Sequence, residues 1–339
     1  MDKSRINSEI THGNLGLERV LKDLAGGMGS EFVTGHIYYV IKSSESYYQD
    51  FVNQHQERYY DGTYKVYTDD GTGDGIQDAL DATQANRDDY VIVLPSNGDY
   101  DLTAALTMTK NRVHLLSPAG LGTFGFPTNA CRLHQNTVLL DIITVTADCV
   151  EIAGFFFKGG TGNIITLSGT RWHSHIHDNF FGMAATDGTE NYGIYGEGAC
   201  SHFSIHDNQF TNYSPGAVTG TDNDLGGFIT LSSGSNTRGL IRNNIMQSGV
   251  NTEVTSAITA AGVDITIIDN EITETQAHGD SQTGVITAGI TASASCSVGR
   301  NYFYGVPAAN TLVGPTADLM CINNYIGTTN GTGVVDEDS

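Results

Sequence analysis

Five histidines carry the most distinctive chemistry in this sequence: His173, His175, His177, His202 and His206. The first three alternate along one segment, so on a strand they would share a face opposite Ile176. Alignment of the two segments sets His202 beside His173 and His206 beside His177. Imidazoles on adjacent strands lie about 5 Å apart, a spacing compatible with a transition metal.

No carboxylate or cysteine clearly completes a tetrahedral set around these histidines. We therefore expect no bound metal, and instead a wet, titrating surface or a subunit contact. If the five imidazoles converge at an interface, acid should loosen that interface through their mutual repulsion.

Carboxylates could cleave polysaccharides, because glycoside hydrolysis uses a pair about 5–9.5 Å apart across the bond. Two groups are close in sequence: Asp222 with Asp224, and Asp264 with Asp269, Glu271 and Glu274. Among 38 acidic residues such neighbours arise by chance, so we expect solvated surface rather than an active site. The single tryptophan, Trp172, could form a saccharide platform or fill the core.

The segment from Asp70 to Asp81 partly matches a calcium-binding EF-hand loop. Asp70, Asp74 and Gly75 fit its first, fifth and sixth positions, whereas Thr72 and Asp81 depart from the third and twelfth. The start of a helix explains the segment better, so we predict no calcium and no other cofactor.

The chain has five cysteines that lie far apart without CxxC spacing: Cys131, Cys149, Cys200, Cys296 and Cys321. Free, mostly buried thiols are the expectation. The first residues are polar, and no run is long and apolar enough to span a membrane. These features predict synthesis in a reducing cytoplasm.

The formal net charge is −22, from 16 basic and 38 acidic residues. Nucleic acid and anionic membranes would be repelled by such a chain, so neither is an expected partner. The 41 glycines against 6 prolines indicate many turns that rely on glycine.

The elements that position these residues come from a short pattern that recurs seven times between residues 150 and 326. Clear copies read Ile176 to Phe181 and Ile205 to Phe210, with large apolar residues at the first and sixth positions. Asparagine holds the fourth position in six copies, at Asn179, Asn208, Asn244, Asn270, Asn301 and Asn324; the first copy has Phe155 there. The steps between these positions are 24, 29, 36, 26, 31 and 23 residues, which indicates a solenoid.

Each copy is too short for a helix and is rich in β-branched and aromatic residues, so it predicts a strand. Asparagines stacked about 4.8 Å apart can hydrogen-bond along a ladder and tolerate a bend. Apolar positions then stack into columns. The prediction is a parallel β-helix over residues 65–330, with an acidic C-terminal tail at 331–339.

Residues 1–64 differ from the rest and predict a small α+β segment that docks or caps the stack. Helices are expected near residues 15–24 and 46–55, a strand at 37–41 and a hairpin at 59–64. Eight of the 16 tyrosines lie between residues 38 and 67. They could form a protein interface or cover the open end of the stack, and one surface can do both.

The segment after residue 69 runs through an Asp/Gly-rich stretch, a helix at 76–82, the strand Tyr90 to Pro95 and a strand ending at Gly120. With the repeat, this order resembles the pectin-lyase-like family of right-handed parallel β-helices over about residues 65–327. The resemblance implies a right-handed, single-stranded coil. It does not decide activity, because the family spans lyases, hydrolases, phage tailspikes and structural proteins.

The sequence lacks the Gly-His-Gly and Arg-x-Lys motifs that mark hydrolases of this family. Residues 34–82 also resemble structural proteins of marine tailed phages. We therefore expect a non-enzymatic virion protein (capsid decoration, head fibre or tail component), held by its N-terminal segment to other virion proteins. By resemblance to phage β-helices it would be a homotrimer, assembled in the host cytoplasm. The alternative is a polysaccharide-degrading lyase or hydrolase, or a tailspike that binds a glycan receptor.

Overall fold

The structure is a computed structural model. It describes residues 35–55, 57–59, 61–118, 131–135, 140–159, 162–183, 186–187, 191–212, 223–248, 253–274, 285–286, 288–293, 295–306, 312–313, 320–328 and 331–335. The helix expected near residues 15–24 lies outside these ranges. No helix among the described residues is long and apolar enough to cross a membrane.

Two short helices and many short strands make up the described chain. The helices are α1 (Tyr48–His55) and α2 (Asp74–Ala82). In chain order the strands are β1 (Ile37–Lys42), β2 (Val66–Asp69), β3 (Asp89–Val93), β4 (Tyr100–Leu102), β5 (Leu106–Met108), β6 (Val113–Leu116), β7 (Cys131–Gln135), β8 (Ile143–Val145), β9 (Glu151–Ala153), β10 (Phe155–Lys158), β11 (Ile165–Leu167), β12 (Arg171–Trp172), β13 (His175–His177), β14 (Phe180–Met183), β15 (Thr186–Asp187), β16 (Tyr192–Gly196), β17 (Cys200–Ser201), β18 (Ser204–His206), β19 (Gln209–Asn212), β20 (Asn223–Thr237), β21 (Leu240–Arg242), β22 (Ile245–Ser248), β23 (Glu253–Val263), β24 (Ile265–Ile268), β25 (Glu271–Glu274), β26 (Val285–Ile286), β27 (Ile290–Ala292), β28 (Cys296–Gly299), β29 (Tyr302–Tyr304), β30 (Leu312–Val313), β31 (Met320–Ile322), β32 (Asn324–Thr328) and β33 (Gly331–Val335).

These strands form three long sheets. Sheet A has the order β2-β1-β3-β6-β9-β13-β18-β21-β24-β28-β31. Sheet B runs β4-β7-β10-β14-β19-β22-β25-β29-β32-β33, and sheet C runs β5-β8-β11-β16-β20-β23-β27-β30. Within this order the strands pair in parallel, except for the antiparallel pair β32–β33 at the end of sheet B.

Consecutive strands of the chain go to different sheets. For example, β13, β14 and β16 lie in sheets A, B and C, and they pair in parallel with β18, β19 and β20 of the next passage of the chain. Each turn therefore adds one strand to each sheet. The chain is an all-β parallel β-helix, as the repeat predicts.

The bend from sheet A to sheet B falls on the third position of the repeat. That residue has a positive φ in all seven copies of the repeat: +83° at Gly154 and between +49° and +57° at Asp178, Asp207, Asn243, Asp269, Arg300 and Asn323. The asparagine of the repeat, which was expected to tolerate a bend, lies at the next position. Most of these bend residues are Asp or Asn, the side chains that best tolerate the left-handed region.

The fourth-position asparagines form a buried ladder that satisfies their amide groups. Asn208 Oδ1 accepts hydrogen bonds from the Asn179 backbone N–H and from Asn179 Nδ2, both at 3.1 Å. Asn208 Nδ2 donates to Ile176 O at 2.9 Å and to Asn244 Oδ1 at 3.1 Å. The pattern continues through Asn324, and all six side chains are at most 1% exposed. Asn179 also accepts the Phe155 N–H, so the ladder starts at the copy that lacks asparagine.

Apolar side chains stack in columns inside the turns. The first column contains Ile152, Ile176, Ile205, Ile241 and Ile267, which pair in register along sheet A and are fully buried. One continuous apolar cluster extends from Tyr38 to Val306. Since a single turn cannot bury its own inner face, stacking supplies the core.

The N-terminal segment continues the stack. β1 pairs with β3 and β2 in sheet A, although it precedes the boundary expected at residues 64–65. α2 covers this end with Ile76, Ala79 and Leu80 buried in the main core, while α1 packs Phe51 and Val52 on the outer face of β1 and β3. Of the clustered tyrosines, Tyr38 is fully buried, whereas Tyr47 and Tyr64 are 38% and 52% exposed.

Asp69 holds the loop that leads into α2. Its carboxylate, 1% exposed, accepts hydrogen bonds from the backbone N–H groups of Gly71, Gly73, Gly75 and Ile76 at 2.6–3.3 Å. The neighbouring Asp70 accepts from the N–H and hydroxyl of Thr72. Asp70, the first position of the segment compared with an EF-hand loop, thus binds within its own turn.

At the other end, part of the expected tail is ordered structure. Gly331–Val335 forms β33, antiparallel to β32. It covers the last edge of sheet B, and an exposed parallel edge would otherwise leave backbone groups unpaired.

Candidate functional site

The predicted histidines lie together on the outer surface of sheet A, across β6, β9, β13 and β18. We call this surface the histidine face; it comprises His114, Glu151, His173, His175, His177, His202 and His206. Strand register aligns His114, Glu151 and His175 in one outward column. It also sets His177 opposite His206, with ring centroids 4.9 Å apart and rings 6° from parallel.

His173 is not part of the strand, contrary to the alternating pattern. Only His175 and His177 belong to β13, on the face opposite the buried Ile176. His173 lies in the preceding bend with φ +55°, the same conformation as His202 one turn later. The two rings still stack, with centroids 4.8 Å apart, because both bends occupy the same place in successive turns.

Glu151 links three turns of this face. Its Oε2 lies 2.6 Å from His114 Nδ1 and its Oε1 lies 2.9 Å from His177 Nε2. Burial raises the pKa of Glu151, but hydrogen bonds to the two imidazoles outweigh it and hold that pKa well below the usual range. Sequence reasoning missed this residue. Its signal is its position 24 residues before His175, the same step that separates the first two copies of the repeat.

His177 has a second carboxylate partner. Its Nδ1 lies 2.8 Å from Asp178 Oδ2, and His206 Nδ1 lies 2.7 Å from Asp207 Oδ2 in the next turn. Burial lowers the pKa of His177, but its bonds to Asp178 and Glu151 prevail and raise the pKa to about 9. The stacked imidazoles therefore each have an acidic partner, which offsets the repulsion that acid was expected to create.

An open cavity of about 240 Å³ lies at the N-terminal side of the histidine face. Its lining includes Asp88, Arg112, Cys149, Glu151, His173 and His175. Arg112 and Asp88 form a bidentate ion pair at its rim. Burial against this face lowers the pKa of His175.

Of the carboxylates considered as catalytic candidates, the four between residues 264 and 274 are divided between two sheets. Asp264 and Asp269 flank β24 in sheet A, whereas Glu271 and Glu274 belong to β25 in sheet B. Asp269 is held by Arg300 at 2.7 and 2.6 Å, and Glu274 is only 6% exposed, where burial raises its pKa. Asp222 lies outside the described residues, as does the side chain of Asp224.

Trp172 does not fill the core. It ends β12, is 49% exposed, and its ring lies 6.1 Å from that of His202. Among the cysteines, Cys131, Cys200 and Cys296 are buried free thiols and Cys149 is a half-buried one. Cys321 belongs to β31, but its side chain lies outside the described part.

A separate group of potential metal ligands lies on sheet B. Asp99, Asp101 and His134 bring one donor atom each within 4.8 Å of the others. However, Asp99 already binds Arg132 at 2.8 Å and Lys158 at 3.1 Å, and His134 Nδ1 lies 2.6 Å from Asp101. This group is neutralised by its own neighbours.

The fold and this face define a parallel β-helix with a histidine- and carboxylate-lined outer surface. Among solved structures the chain is similar to a rhamnogalacturonan lyase, with a TM-score of 0.40 and 12% identity over 86% of this chain and 74% of that one. It is also similar to the protein ORF18 of Geobacillus virus E2, with a TM-score of 0.29 and 12% identity over 95% and 67% of the two chains. No protein-family model and no curated protein matches the sequence. Likenesses of this strength carry no conclusion about activity.

Proposed function

We propose that the protein is a non-enzymatic structural component of a tailed-phage particle. In this role the β-helix is a rigid module on the particle surface. Residues 1–64 attach it to other virion proteins, and three copies associate. The virion assignment follows the sequence resemblance of residues 34–82 to phage structural proteins.

The observation that carries the non-enzymatic part is the pairing of charged groups on the outer surface. Glu151 binds two imidazoles, Asp269 binds Arg300, and Asp99 binds Arg132 and Lys158. Hydrolysis by two carboxylates needs both to face the scissile bond from one groove. Glu151, Asp269 and Asp99 instead bind neighbouring side chains, which suits a stable surface better than a reacting one.

The interior supports a mechanical role. The buried ladder joins the turns from Phe155 to Asn324, and one continuous core extends from Tyr38 to Val306. The 11 strands of sheet A span roughly 50 Å at about 4.8 Å per strand. A solenoid of this kind resists local bending because each turn is fixed by both of its neighbours. Capsid decoration, head fibre and tail component are all compatible with such a rod.

A polysaccharide-degrading enzyme is the second candidate, and the cavity on the histidine face is the observation that favours it. A carboxylate between two imidazoles can exchange protons, and Arg112 lies beside it. Incubation of the full chain with a panel of acidic and neutral polysaccharides tests this role. Released reducing ends or unsaturated products that vanish in Glu151→Gln would establish it and refute the non-enzymatic assignment.

Quantitative mass spectrometry of purified particles tests the structural role. We expect the full chain to co-purify with particles at a fixed stoichiometry relative to the major capsid protein. Hundreds of copies would indicate capsid decoration, and a few would indicate a fibre or tail component. A protein found free in the lysate and missing from washed particles would refute the proposal.

A further inference from the structure

The histidines of this face differ in their side-chain partners. His114, His177 and His206 each bind a carboxylate within 2.9 Å. His173 and His175 make no side-chain hydrogen bond among the described residues, and both are exposed. An imidazole nitrogen without a hydrogen-bond partner can offer its electron pair, which is what a transition-metal ion requires.

A thiol lies next to these two histidines. The Cys149 N–H donates to Trp172 O, and the His175 N–H donates to Val150 O, each at 2.8 Å, which aligns Cys149 with His173 on adjacent turns. Cys149 and His173 share one backbone conformation, φ +56° and +55°. Their side chains therefore leave neighbouring turns in the same direction, about 4.8 Å apart. All three residues line the same open cavity.

We propose that Cys149, His173 and His175 form a binding site for a zinc-type transition-metal ion, with water as the fourth ligand. One thiolate and two imidazoles are a ligand set that Zn²⁺ and Co²⁺ favour, and three protein ligands leave one position open. This inference is independent of the virion role. It supplies the cysteine ligand whose absence from the histidine segment argued against a metal.

The surrounding groups are compatible with a cation. Arg112 lines the cavity, and the bidentate ion pair with Asp88 balances its positive charge. Glu151 keeps its bonds to His114 and His177, and it adds negative charge beside the site. The donor atoms of Cys149, His173 and His175 do not lie within 4.8 Å of one another; among the described residues, Asp99, Asp101 and His134 form the group that does. Binding therefore requires rotation of the exposed imidazoles about their side-chain bonds.

Cobalt titration of the tag-free full chain tests the site directly. We expect one Co²⁺ per chain, a near-ultraviolet absorption from thiolate-to-cobalt charge transfer, and displacement by Zn²⁺. Cys149→Ser should remove that absorption, and His175→Gln should weaken Zn²⁺ binding at least about tenfold in competition with a chromophoric chelator.

His206→Gln is the matched control, since His206 lies on the same face but is bound to Asp207. It should bind Zn²⁺ like the wild type. Circular dichroism verifies that each variant is folded. If Cys149→Ser does not fold, the double variant of the exposed His173 and His175 decides instead. Absence of stoichiometric binding in the wild type, or wild-type affinity in a folded Cys149→Ser or histidine variant, overturns the proposal.

Discussion

Replacement of Asn244 by alanine tests the ladder at its centre. Asn244 Oδ1 accepts from the Asn208 backbone N–H and Nδ2, both at 3.1 Å. Its Nδ2 donates to Ile205 O at 3.0 Å and to Asn270 Oδ1 at 2.9 Å. All of these groups are buried, so none can turn to water when the side chain is removed.

The magnitude follows from the groups left without a partner. The Asn208 backbone N–H and the Ile205 carbonyl lose these side-chain bonds, and the amides of Asn208 and Asn270 each lose one more. A buried group left unsatisfied costs about 1–3 kcal/mol, so we expect Asn244→Ala to lower the unfolding free energy by about 4 kcal/mol. Asn244→Asp should cost at least as much, because a carboxylate cannot donate to Ile205 O and would be a buried charge.

Urea unfolding followed by circular dichroism measures the effect, with Gln209→Ala as the control. Gln209 neighbours the ladder in sequence, but its side chain points outward from sheet B and makes no hydrogen bond among the described residues. Its replacement should change stability by less than about 0.5 kcal/mol. An Asn244→Ala protein as stable as the Gln209 control would refute the reasoning that the ladder holds adjacent turns together.

Three further predictions address the other devices of the fold. The folded-state pKa of His177 is raised to about 9 from 6.5, so the protonated imidazole stabilises the fold fully below about pH 6.5 and no longer does so above about pH 9. In pH-dependent unfolding, the wild type should therefore lose its stability advantage over His177→Gln across that range. Gly154→Ala should destabilise by about 1–3 kcal/mol from backbone strain alone, because φ is +83°, and a Cβ would also lie 2.1 Å from Ser117 O; an unchanged melting temperature would contradict this. Asp69→Ala removes four hydrogen bonds at the start of α2 and should cost about 3 kcal/mol, whereas Thr72→Ala nearby should have little effect; equal losses in denaturant unfolding would show that Asp69 is not the anchor.

The repeat let the sequence predict most of the fold. Ile and Asn at fixed positions indicated which residues stack on each other, and the structure places Asn208, Asn244 and Asn270 in one hydrogen-bonded line. The same alignment set His206 beside His177. This works because parallel strands of a coil pair in register, so equal positions in the pattern become neighbours in space.

The site was harder to predict from the sequence than the fold, because some of its contacts join residues at different positions of the repeat. Glu151 contacts His177 diagonally across adjacent strands. His177 also contacts Asp178, because the bend at Asp178 places the two neighbouring side chains on the same side of the chain.

The sequence by itself determined the β-helix, its asparagine ladder and the outward placement of the histidines, because each depends on local periodicity repeated along the chain. Only the tertiary structure decided which carboxylate serves which imidazole. Those choices depend on side-chain direction, as in the diagonal contact between Glu151 and His177. Periodicity records the stacking of equivalent positions, whereas such diagonal contacts join positions that are not equivalent.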